Sequence, residues 1–152
     1  MEYVRIIEIP DGKMVSSGVG MFGDANFDRF NAWMSAQPPT VFPSDYLFWD
    51  GEWGKSGGFH WLYRYEEGME VPEGFQVVDF HGGLYALITG VDGEGNDDGR
   101  AAADAFIRSH GFEYDPGRPE LGNVITPPAA YAVLGYHQMD YYLPIRPCPQ
   151  EG

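Results

Sequence analysis

Cysteine is almost absent from this 152-residue chain: the single one, Cys148, sits in a proline-rich tail, so no internal disulfide can form. Basic residues are scarce too. Nine Lys and Arg stand against 23 Asp and Glu, a formal net charge of −14. The nine are scattered singly from Arg5 to Arg146 and build no basic patch. Such a surface repels phosphate, so neither direct nucleic-acid binding nor attachment to an anionic membrane is expected. No apolar run reaches membrane-spanning length, and Met1 to Arg5 shows no basic stretch leading into an apolar one. A cytoplasmic location is the expectation.

Metal and nucleophile signatures are missing as well. His60, His81, His110 and His137 form no i, i+4 pair and have no cysteine partner. The acidic segment Asp92 to Asp98 imitates a calcium loop but carries Asp97 at the required glycine and Ala103 at the bidentate glutamate position. No Gly-x-Ser-x-Gly, phosphate loop or dinucleotide fingerprint occurs, and no His, Met or Cys is marked out as a haem ligand. Neither cofactor nor metal is expected.

Aromatic residues, glycine and proline are plentiful. Rings make up 16% of the chain, beside 21 Gly and 12 Pro, which suggests sheet, many turns and more rings than one core needs. Tyr3 to Ile9 reads as a strand, Pro10-Asp11-Gly12 as a turn, and Lys13 to Gly18 as the returning strand. Asp24-Ala25-Asn26 offers caps for a helix on which Phe27, Phe30 and Met34 recur, stopped by Pro38-Pro39. Tyr46 to Trp49 and Phe59 to Tyr65 are aromatic strands around a Gly-rich loop holding Trp53.

The pattern then restarts. Phe75 to Phe80 and Leu84 to Thr89 read as strands about His81-Gly82-Gly83. A helix from Arg100 to about His110 would bury Ala102, Ala105, Phe106 and Ile107, with Gly111 as its C′ residue. After a long Pro/Gly loop, Ala130 to Leu134 and Met139 to Leu143 read as closing strands. Ser17-Gly18-Val19 corresponds to Thr89-Gly90-Val91, and Trp33-Met34 to Phe106-Ile107. The expectation is one α+β domain over residues 1–152, built from duplicated β-β-α-β-β units (about 1–68 and 69–148). These would form a pseudo-twofold antiparallel sheet with two helices on one face and a central ligand cleft.

Period-two alternation puts Phe59, Trp61, Tyr63 and Tyr65 on one face of their strand. On the closing strand Gln138, Asp140 and Tyr142 share one face, and Met139, Tyr141 and Leu143 the other, which is the natural core side. A carboxylate beside a phenol on an inner strand suits a flat organic cation: rings supply stacking and cation–π attraction, and the acid supplies counter-charge. The alternative is that the rings are core and Asp140 lies on an exposed edge. The Trp61–Tyr63 face either lines a cleft or packs under the helices.

The ending Asp140-Tyr141-Tyr142-Leu143-Pro144-Ile145 resembles the acidic-x-Tyr-x-Pro-Ile close of GyrI-like proteins, the effector-binding domains of AraC-type and MerR-type multidrug regulators. Val71-Pro72-Glu73-Gly74-Phe75, followed by Gly82-Gly83-Leu84-Tyr85-Ala86, is similar to the family's mid-chain passage. The resemblance spans nearly the whole chain. It implies a duplicated strand–helix–strand fold around a small-molecule cleft, with Asp140 as the acid that faces bound cations and Tyr142 as the ring two positions on. The acid here is Asp instead of the family's commoner Glu, and Thr126 to Gly135 holds no second acid.

The resemblance implies a stand-alone protein that senses or sequesters a planar aromatic ligand, cationic or neutral. Asp140, Tyr142, Trp61, Tyr63, Trp49 and Trp53 are the candidate contacts. One alternative is a hydrolase of cyclopropane-containing aromatic natural products, with Asp140 and Tyr142 acting on water and substrate. Another is an acidic interaction module for gyrase or a transcription regulator. A monomer or weak dimer is expected.

Overall fold

The computed structural model describes residues 4–41, 44–50 and 57–150. Over these described residues it is a mixed α+β structure of antiparallel strands and three helices. Its two compact units are Met1–Pro10 with Gly82–Gly152, and Asp11–His81.

The first unit contains β1 (Arg5–Ile9), β6 (Gly83–Val91), β9 (Gln138–Pro147) and β8 (Leu121–Val124), paired in that order, with β7 (Phe112–Tyr114) also on β9. Helix α2 (Asp97–Ser109) covers one face. Ala86, Ile88, Leu143 and Ile145 from the strands meet Ala103 and Ile107 from the helix, none more than 6% exposed. A large aliphatic side chain so buried contributes roughly 2 kcal/mol. Asp97 and Asp98 in the first turn and Arg108 in the last complement the helix dipole, and Gly111, at φ 80°, follows the C-cap.

The second unit contains β2 (Gly12–Gly20), α1 (Ala25–Ser35), β3 (Asp45–Asp50), β4 (Gly58–Arg64) and β5 (Gln76–Phe80), with strands ordered β3-β4-β2-β5. Asp24 caps α1: its carboxylate accepts from the amides of Phe27 at 2.7 Å and Met21 at 2.8 Å. Those two bonds hold the Asp24 pKa below the ordinary value, since they favour the charged form. Phe30 of α1 packs on Val15 and Phe75.

Four expectations differ from the structure. Lys13 to Gly18 does not return against β1: β2 pairs with β4 and β5, while β1 pairs with β6. Pro10–Gly12 and His81–Gly83 are therefore crossings between units, not hairpin turns. Ala130 to Leu134 is helical, part of α3 (Pro128–Leu134). Pro128 presets φ at the helix start and Gly135, at φ 77°, ends it. The long loop contains β7 and β8, too short for periodicity to reveal. Finally, α2 buries Ala103 and Ile107 while Ala105 is exposed, a rotation of the expected face by about one residue.

Candidate ligand-binding site

Strand β9 is paired on both sides, by β6 and β8. Alternation sends Tyr141, Leu143 and Ile145 toward α2. Asp140 and Tyr142 therefore occupy the opposite face, at 7% and 5% exposure. Register aligns two rows there: Thr89, Asp140 and Asn123, then Leu87, Tyr142 and Leu121. Residues directly across from one another share a face, so each row is a line of neighbouring side chains.

A carboxylate this buried is costly unless it is paired and hydrogen-bonded. Thr89 Oγ1 donates to Asp140 Oδ1 at 2.5 Å, and Arg5 Nη2 donates to the same oxygen at 3.1 Å. Both fall on Oδ1, so Oδ2 is engaged by neither. The Arg5 side chain is more than half exposed. A cavity of about 160 Å³ lies beside Arg5, Leu87 and Thr89, but its other walls, Val4, Ile88, Gly99 and Ala102, belong to the α2 side, and neither Asp140 nor Tyr142 lines it. Across β9 from Thr89, next to Asp140, stands Asn123, fully buried, with neither Nδ2 nor Oδ1 hydrogen-bonded.

At the other end of this sheet Arg118 acts as a clamp. Its Nη2 donates to the carbonyls of Leu84 at 2.9 Å and Ile145 at 2.6 Å, and its Nε to Asp115 at 2.8 Å. The guanidinium lies 4.6 Å from the centre of the Tyr85 ring. Burial pushes the Tyr85 phenol up, opposed by Arg118. The Arg118 hydrogen bond holds Asp115 below its ordinary value.

In the second unit, Trp61 and Tyr63 take the second of their two alternatives and pack on the α1 side. The Trp61 ring lies 5.5 Å from Phe27 and 5.8 Å from Phe30, and the Tyr63 ring 5.4 Å from Trp33. Trp49 meets Phe59 edge-on at 4.9 Å and is 38% exposed. Trp53 lies outside the described residues. Asp45, across from Tyr63, accepts from Trp61 Nε1 at 3.1 Å. Burial raises the Asp45 pKa, with the Trp61 bond opposing. Burial also raises Tyr63, helped by the charges of Glu66 and Asp45.

The structure thus joins Asp140 and Tyr142 to Arg5, Thr89 and Asn123, none of which sequence reasoning selected. Thr89 could have been found, because the repeat alignment already matched it to Ser17. Arg5 carried the weaker signal of a cation within an apolar strand. Asn123 carried none, since its strand is four residues long and lay in the supposed loop.

No protein-family model matches the chain, and no curated protein matches it in sequence. Solved structures do match. The C-terminal domain of EcmrR is 10% identical with a TM-score of 0.62, over 97% of this chain and 99% of that one. An EcmrR–DNA complex matches at 11% identity and TM-score 0.61, over 95% of this chain but only 57% of that one. A hydrolase from Listeria innocua is 14% identical with a TM-score of 0.65, over 95% and 92%. At these identities the likeness establishes the fold alone.

Proposed function

We propose that this chain is a small-molecule binding domain of the GyrI-like kind. Its planar aromatic ligand lies on the β6–β9–β8 face, with Asp140 as counter-charge and Tyr142 as the adjacent ring. The observation that carries this reading is Asp140: a nearly buried carboxylate on an inner strand, on the face away from α2, with one oxygen outside its two hydrogen bonds. A carboxylate that served only the core would be replaced by an apolar residue at no loss of stability. The likeness to the EcmrR domain supports the fold this function needs. Ligand sensing or sequestration is the role this reading assigns to the chain.

Calorimetric titration with 1-methylquinolinium and neutral N-methyl-2-quinolone, similar in size, tests the proposal. Asp140→Asn weakens the cation by about 1–3 kcal/mol and leaves the neutral ligand nearly unchanged. Equal losses refute the charge role, and absence of binding by both refutes the reading.

A second reading is favoured by the likeness to a protein described as a hydrolase. On this reading Asp140 positions water against a strained ring, and the elements of water add across the carbon–carbon bond that opens. Turnover of a cyclopropane-bearing aromatic, lost in Asp140→Asn with binding retained, would establish it.

A further inference from the structure

Among the described residues, four side chains hold buried polar atoms without a hydrogen-bond partner: Tyr85, Arg118, Asn123 and His137. Three of them lack a partner at a single atom and have an aromatic or cationic neighbour. Arg118 lies over the Tyr85 ring, and His137 stacks on Tyr131 at 4.2 Å. Asn123 lacks partners for both its amide nitrogen and its amide oxygen, at 0% exposure. A carboxamide so placed has given up its hydrogen bonds to water with nothing in return, which native interiors seldom tolerate.

Its position says what would restore those bonds. Asn123 stands directly across from Asp140, on the same sheet face, at a strand spacing of about 4.8 Å. A carboxamide presents a donor and an acceptor side by side, so its complement is an acceptor and a donor side by side. Asparagine reads the edge of adenine by the same rule. Next to it, Asp140 Oδ2 can accept one further N–H.

We propose that Asn123 determines ligand specificity: with Asp140 it reads the edge of a planar ligand whose N–H donor adjoins a carbonyl or ring-nitrogen acceptor, as in a lactam or an amino-substituted azine. This rests on the binding function proposed above and adds the ligand's polar edge to it. Arg5 is the movable part. Its side chain, more than half exposed, can leave Asp140 Oδ1 while the strands keep their register.

The test is calorimetric titration of the full chain with 2-quinolone, N-methyl-2-quinolone and 1-methylquinolinium. The first carries the N–H beside the carbonyl, the second has lost the N–H, and the third has neither. The unmodified protein is expected to prefer 2-quinolone over its N-methyl form by on the order of tenfold. Asn123→Leu, close in volume and relieved of the unpaired amide, should fold and should bind the two alike. Equal binding of both lactams by the unmodified protein, as an ordered water on Asn123 would produce, overturns the proposal while leaving the binding function standing. So does a preference that survives Asn123→Leu. No binding by any of the three overturns the binding function and this inference with it.

Discussion

Arg5 and Asp140 lie 3.1 Å apart as an unequal pair: the guanidinium end is 57% exposed and the carboxylate end 10%. The acid is fixed by β9 and by Thr89, whereas the cation is an arm over it. A ligand cation must displace that arm or share the carboxylate with it. Arg5→Gln keeps a hydrogen-bonding arm, two bonds shorter, and removes its charge. It should tighten 1-methylquinolinium by about three- to tenfold in calorimetry and leave N-methyl-2-quinolone unchanged. The stability lost in urea unfolding should stay under about 1 kcal/mol, because the exposed partner of an ion pair is strongly screened. Weaker cation binding would identify Arg5 as a ligand contact, not a competitor.

The parts of this fold that were legible in sequence are those whose signal is local. The Asp24 cap, the Phe27–Phe30 face, the acids opening α2 and the αL glycine at 111 each follow from a few adjacent residues, and each is seen. The partition of β9 into an Asp140–Tyr142 face and a Tyr141–Leu143 face was equally local. Pairing was not. Nothing in Arg5 to Ile9 says that its partner is β6 instead of the next strand, because both are apolar and both follow a turn. The candidate site suffered most from this. Arg5, Thr89, Asp140 and Asn123 come from four strands, and only register brings them together. The α3 segment misled for another reason: Tyr-Ala-Val-Leu suits a strand, and the preceding Pro127-Pro128 decides for helix.

Arg118 should be the costliest surface-distant side chain of the first unit to truncate. One nitrogen bridges carbonyls of β6 and β9 while Nε holds Asp115. Arg118→Leu leaves both carbonyls without that donor and Asp115 with only the more distant Arg146, 3.9 Å away. A loss of about 2–4 kcal/mol is expected in urea unfolding. A loss under about 1 kcal/mol would show that the clamp contributes little beyond packing on Tyr85.

Gly82 tests the crossing into the first unit. A Cβ built there would lie 1.8 Å from the carbonyl oxygen of Ile9, a separation no carbon and oxygen tolerate. The obstacle is backbone, so no side-chain rotation relieves it. Gly82→Ala must shift the end of β1 away from β6 and should cost about 3 kcal/mol. Gly12→Ala, with nothing within 4 Å of its Cβ, is the control and should be near neutral. Equal stabilities of the two variants would show that the β1–β6 join adjusts freely.

Asp45 supplies a pH test with a definite sign. Burial raises its pKa above the ordinary 3.8, so the folded state binds its proton more tightly than the unfolded chain does. From pH 3.8 up through the raised folded value the native state carries the extra proton, and its contribution to stability falls with rising pH. Below 3.8 there is no penalty, and above the raised value the penalty is constant. The carboxylates of Asp24, Asp104 and Asp115 shift the opposite way and add stability as pH rises, so the whole-protein profile conceals Asp45. The difference between Asp45→Asn and the unmodified protein isolates it. The variant keeps an acceptor for Trp61 Nε1 and cannot ionise. Its stability relative to the unmodified protein should rise between pH 3.8 and neutrality and then level off, as read from urea unfolding at a series of pH values. A difference that is flat across this range would mean that water reaches the carboxylate, and one that falls would mean that the Trp61 bond outweighs burial.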